Sequence, residues 1–118
     1  MIEVLRGDRK NIEFEITDSA NDGAPLDLTG KVVYFMVKES FADADAAAKI
    51  SKNSDTAGHF TISTPASGEG VLHLTGTDTA IDPRTYVYDL RIKAAGSDPY
   101  SVEADKFIVK RTVRKTFT

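Results

Sequence analysis

Apolar and polar residues alternate in several short runs along the chain, separated by clusters of Gly, Pro, Asn and Asp. This period of two is the signature of half-buried β-strands. Residues 2–6 form the first run, and 11–17 the second, with Ile12, Phe14 and Ile16 facing one way and Glu13 and Glu15 the other. Residues 18–25 read as a loop, because Asn and Asp bond locally to backbone and Asp22-Gly23 tolerates positive φ. A short extended piece over 26–30 then delivers the chain to residues 31–38. There Val32, Tyr34 and Met36 oppose Val33, Phe35 and Val37, so both faces are apolar, as in a central strand or one covered by a second layer or a partner.

The alternation breaks over 39–45. Residues 43–48, rich in Ala, have the best helix propensity of the chain and predict one or two turns. Further strands are predicted at 48–52, 59–63 and 71–75, the last two as hairpin neighbours around a turn at 65–70. Residues 77–83 read as a crossing loop with a helical turn that Pro83 ends. Residues 85–93 alternate cleanly, Tyr86, Tyr88, Leu90 and Ile92 against Val87, Asp89 and Arg91. After a turn at 94–99, residues 100–109 return with Phe107 and Val109 inward.

Seven to eight strands within about 100 residues suit an all-β fold, an immunoglobulin-like two-sheet β-sandwich with mainly antiparallel strands and at most one or two short helical turns. Tyr86 and Tyr88, just after the crossing loop, sit where such sandwiches place a corner tyrosine. The predicted domain is 1–109, followed by a basic tail at 110–118.

Composition adds four constraints. At 118 residues the chain has room for one core. With 41% hydrophobic residues and a net charge of −3 it is expected to fold as a soluble globule. No apolar run is long enough for a membrane helix, and the charged start has no signal-like apolar segment, so no membrane partner is expected. The absence of cysteine removes disulfides and thiol chemistry and suits folding in a reducing cytoplasm.

All 18 acids but only 10 of the 15 bases lie in residues 1–105, whereas 106–118 hold Lys106, Lys110, Arg111, Arg114 and Lys115 and no acid. The acidic body would repel phosphate, so the basic strip is expected to meet protein and not nucleic acid.

Several motifs resemble chemistry that their context does not support. Arg6-Gly7-Asp8 matches an adhesion tripeptide, but Gly-Asp between two strands is what a hairpin turn wants. Glu39, Asp43 and Asp45 lack the ligand spacing of a calcium loop, and a helix N-terminus accounts for them better. Asp18, Asp22 and Asp27 read as turn residues. His59 and His73 lie on neighbouring predicted strands without a third metal ligand. Ser67-Gly68 sits in a plain turn with no nucleophile elbow. The tyrosines and phenylalanines fall mostly at inward positions, which favours core packing over a sugar platform. The chain is therefore read as non-enzymatic, with no cofactor and no metal.

Arg6-Gly7-Asp8 after a first strand, Asp18 with Asp22-Gly-Ala-Pro25, Leu26-Asp-Leu-Thr-Gly30 followed by Val33-Tyr-Phe-Met-Val-Lys38, Asp45 with Lys49, Thr77-Asp-Thr79, Tyr86-Val-Tyr-Asp-Leu90 and Phe107-Ile-Val109 follow one another along almost the whole chain. In that order they resemble short phage and prophage tail proteins related to the N-terminal domain of upper baseplate proteins. The resemblance implies an immunoglobulin-like sandwich that serves as an attachment or assembly module in a virion tail or baseplate. It implies contact with other tail or baseplate proteins and self-association in a symmetric assembly. In that family a receptor-binding or linker region usually follows the module; the 118 residues stop after it, which favours an adaptor role. The expected contact residues are Val33, Phe35 and Val37, taken as a second apolar face without cover, and Lys110, Arg111, Arg114 and Lys115, taken to meet the acidic body of a neighbouring copy. The alternative is a carbohydrate- or cell-surface-binding module on the same fold.

Overall fold

A computed structural model describes residues 1–18, 22–94, 96 and 100–112. The fold is mostly β with three sheets, one of which curls into a half-barrel. The strands are β1 (Ile2–Leu5), β2 (Lys10–Glu15), β3 (Thr17–Asp18), β4 (Ala24–Pro25), β5 (Lys31–Lys38), β6 (Ile50–Asn53), β7 (Phe60–Thr61), β8 (Glu69–Leu74), β9 (Arg84–Ala94) and β10 (Tyr100–Lys110), with one α-helical turn, α1 (Gly76–Thr79), between β8 and β9. A five-stranded sheet runs β1-β10-β9-β5-β6, a three-stranded sheet β2-β8-β7, and β3 with β4 makes a two-stranded ribbon. Pairing is antiparallel except between β1 and β10, which run parallel.

The core forms where alternation predicts it. Tyr86, Tyr88, Leu90 and Ile92 of β9 are buried beside Phe107 and Val109 of β10, and Leu72 and Leu74 of β8 close the core from the other sheet. Aromatic rings meet at its centre, with Phe35 5.5 Å from Tyr88 and 6.2 Å from Phe107. The Tyr86 hydroxyl donates to the Asp82 carbonyl at 2.6 Å, so the ring is buried while its polar end is satisfied four residues upstream. β7 and β8 are the antiparallel neighbours that the sequence predicts.

Four expectations need correction. The described chain has ten strands, because the loop at 18–25 closes with its own ribbon: Thr17 pairs with Pro25 and Asp18 with Ala24, while Asp22 and Gly23 take positive φ. The run 11–17 is not one strand. Ile16 leaves the ladder, its N–H donating to the Gly68 carbonyl at 2.8 Å and its carbonyl accepting from Leu26 N–H at 2.9 Å. Gly68 (φ +69°) is required there, since a Cβ would run into the Ile16 carbonyl oxygen.

Helical turns are three among the described residues instead of one or two. They are 3₁₀ turns at Asp45–Ala47 and Pro65–Ser67 and the α1 turn, which Thr75 and Asp78 close with a reciprocal capping box. Finally, residues 6–8 do form a turn, with Asp8 N–H on the Leu5 carbonyl at 3.0 Å, but not a hairpin: β1 lies in the five-stranded sheet and β2 in the three-stranded one.

Candidate interaction surface

The expected contact face of β5 is the wrong one. Val33, Phe35 and Val37 are 0%, 1% and 0% exposed and pack in the core, so none of them is available to a partner of the folded chain. The physical reason is register: Val33 pairs with Ile92, Phe35 with Leu90 and Val37 with Tyr88, all inward residues of β9. Directly paired residues share a face, so β5 turns Val32, Tyr34 and Met36 outward.

On that outer face Tyr34 is 40% exposed, and Phe41, in the loop after β5, is 65% exposed. Phe41 lies over a shallow dent formed with Met36, Lys38, Val87 and Asp89. Lys38 anchors the loop, its ammonium reaching the Asp43 carbonyl at 3.0 Å and the Asp45 carboxylate at 2.7 Å. Hydrogen bonding and charge from Lys38 hold the Asp45 carboxyl below the usual carboxylate range. This pairing, and not only a helix terminus, accounts for Asp45. Asp43 accepts from Ser40 N–H at 3.1 Å, and Glu39 pairs with Arg84 at 3.2 Å.

The basic strip divides. Lys110 pairs with Glu3 of its own chain at 3.0 Å, an exposed bridge along the parallel β1–β10 pair. Arg111 is exposed, whereas Arg114 and Lys115 lie outside the described residues.

The Arg6-Gly7-Asp8 turn is held by its backbone and by Arg6. Arg6 Nε donates to the Ile81 carbonyl at 3.0 Å, Gly7 N–H to the Thr79 carbonyl at 3.3 Å, and the buried Thr79 hydroxyl to the Asp8 carbonyl at 2.7 Å. Arg6 is thus occupied in joining the turn to the segment after α1. The histidines are backbone neighbours, His73 N–H donating to the His59 carbonyl at 3.0 Å, but their rings have different partners: His73 joins Asn11 at 2.9 Å and Thr61 at 2.6 Å, while His59 accepts from Asn53 N–H at 3.2 Å. No group of three or more His, Asp or Glu among the described residues can hold a metal ion.

Sequence reading missed a crevice of about 180 Å³ where the edges of the two larger sheets part, between β1 and β2. Ile12, Phe14, Leu72 and Leu90 line it with Phe35 and Tyr88, Met1 and Ile2 bound it on the β1 side, and Glu103 stands beside it. Glu103 pairs with Leu90 and Asp105 with Tyr88, so both carboxylates lie on the inward face of β10. The Met1 ammonium holds the Asp105 carboxyl low from 2.9 Å, while burial and the adjoining Glu103 charge push the Tyr88 phenol up. The signal was present in the sequence, since Glu103 and Asp105 are in phase with Phe107 and Val109. No protein-family model matches the chain, and no curated protein sequence matches it.

Proposed function

We propose that the chain is a non-enzymatic structural or adaptor protein of a phage tail or baseplate, assembled through protein–protein contacts in the virion. The carrying observation is the placement of large apolar side chains at the surface. Tyr34 and Phe41 are exposed on the outer side of β5, Met1 and Leu5 at the β1 edge, and Val102 on β10, so the five-stranded sheet presents apolar groups on its face and its edge. The ordered motifs from Arg6-Gly7-Asp8 to Phe107-Ile-Val109 support the same reading. The two larger sheets and the Tyr86 corner suit an immunoglobulin-like sandwich. Such a rigid sandwich acts by geometry, docking faces and edges on neighbouring subunits in copies set by the symmetry of the tail.

Immunodetection of the chain in particles purified after prophage induction, with electron microscopy to locate the label, tests this. Label on tails or baseplates is expected; particles free of it overturn the reading. One observation favours a carbohydrate-binding module as second reading: the aromatic rings of Tyr34 and Phe41 are exposed, and aromatic faces stack on sugars. Glycan binding that is lost in Tyr34→Ala and Phe41→Ala would favour it.

A further inference from the structure

Two features meet at the crevice between β1 and β2. The first is an open sheet edge. β1 pairs only with residues 107–110 of β10, and the Lys106 N–H is taken by the Asp105 carboxylate at 2.8 Å, so among the described residues 100–105 of β10 have β9 as their one strand neighbour and an open edge on the other side. The second is the crevice itself, floored by Phe35, Tyr88, Leu72 and Leu90. Cavities of about 150 Å³ accept a benzene ring, so a space of about 180 Å³ takes one aromatic side chain. Glu103 beside it, on the inward face of β10, makes the entrance acidic. An extended segment added along β10 would pair with the free backbone groups and drop alternate side chains toward the crevice. It would need an apolar residue for the floor and bases for the entrance.

The chain carries such a segment. Residues 111–118 hold Arg111, Arg114 and Lys115 with no acid, and an apolar ring at Phe117. In an extended segment Lys115 and Phe117 share a face, as Glu103 and Asp105 do on β10. The segment follows Lys110, at the far end of β10 from the crevice. Glu103 and Lys110 are seven positions apart, about 23 Å of strand, so reaching its own crevice would require the chain to double back over that distance. A second copy meets no such constraint.

We propose that the crevice between β1 and β2, with the open edge of β10, receives residues 111–118 of a second copy of the chain. This rests on the assembly reading above and names its partner and its site. Tail and crevice are different surfaces, so two copies can exchange tails about a two-fold axis or pass them on around a ring or along an open row.

Sedimentation velocity of the full chain over a concentration series tests it. The wild-type chain is expected to self-associate. Arg111→Gln/Arg114→Gln/Lys115→Gln and, separately, Glu103→Gln should each weaken association at least about tenfold with the unfolding midpoint unchanged, a loss of about 1.4 kcal/mol. Phe117→Ala should weaken it as well. Mixing the two Gln variants leaves one intact tail and one intact crevice, and should restore a 1:1 complex that grows no further. A labelled peptide of residues 111–118 should bind the wild-type chain and not Glu103→Gln. A wild-type chain that stays monomeric and ignores the peptide overturns the proposal, as does association that survives in either Gln variant. Neither result moves the label on purified particles, so failure here is separable from failure of the tail or baseplate reading.

Discussion

Tyr86 and Tyr88 enter the same core from β9 but differ at their polar ends. The Tyr86 hydroxyl is satisfied by the Asp82 carbonyl at 2.6 Å, so Tyr86→Phe should cost about 1 kcal/mol, the net worth of one such hydrogen bond. Tyr88→Ala removes a ring that touches Phe35 and should cost about 3–5 kcal/mol in urea unfolding. A negligible shift in midpoint would contradict its place in the core. Asp78 works differently. Burial opposes its charge, yet the Lys52 ammonium at 2.7 Å and the Thr75 cap hold its pKa below the ordinary value. A depressed folded pKa contributes stability above the ordinary carboxylate range and loses it as pH falls through the folded value. Asp78→Asn should therefore flatten the acid limb of the stability curve below about pH 4, measured as unfolding midpoint against pH.

Among the elements, β5 shows best what a pattern can and cannot specify. Its residues are apolar on both faces, so alternation alone leaves open which face is covered, and the choice of Val33, Phe35 and Val37 as contacts followed from that ambiguity. Pairing with β9 resolves it. Phe35→Ala should cost about 3–5 kcal/mol, whereas Tyr34→Ser on the outer face should stay within about 0.5 kcal/mol, both read from chemical denaturation. β9 was legible because its inward residues alternate over most of its eleven residues, whereas β10 was legible at its end, where Phe107 and Val109 are inward. The two-residue strands β3, β4 and β7 were not predicted with their observed bounds, since two residues carry no period.

For the whole molecule, charge segregation is the property that reaches furthest. The body is acidic and residues 106–118 are basic, so contacts between copies through this asymmetry should weaken as salt rises from 50 to 500 mM, where screening shortens from about 14 to about 4 Å. The exposed Lys110–Glu3 bridge should contribute little to folding, so the same salt range should leave the unfolding midpoint nearly unchanged. Sedimentation and thermal unfolding in parallel separate the two effects.

The amino-acid sequence by itself determined the β character of the chain, the inward residues of β9 and β10, the hairpin relation of β7 to β8, and the turn at Arg6-Gly7-Asp8. These follow from side-chain alternation and from Gly, Pro and Asp chemistry, which act over a few residues. Only the tertiary structure decided that residues 6–8 cross between sheets, that Ile16 turns its backbone to Gly68 and Leu26, which face of β5 meets the core, and that Glu103 and Asp105 stand beside an apolar crevice. Each of these depends on pairing between segments far apart in the chain, such as β1 with β10 across about one hundred residues. A period of two tells which residues share a side of a strand, but it carries no information about which strand lies next to it or what covers that side.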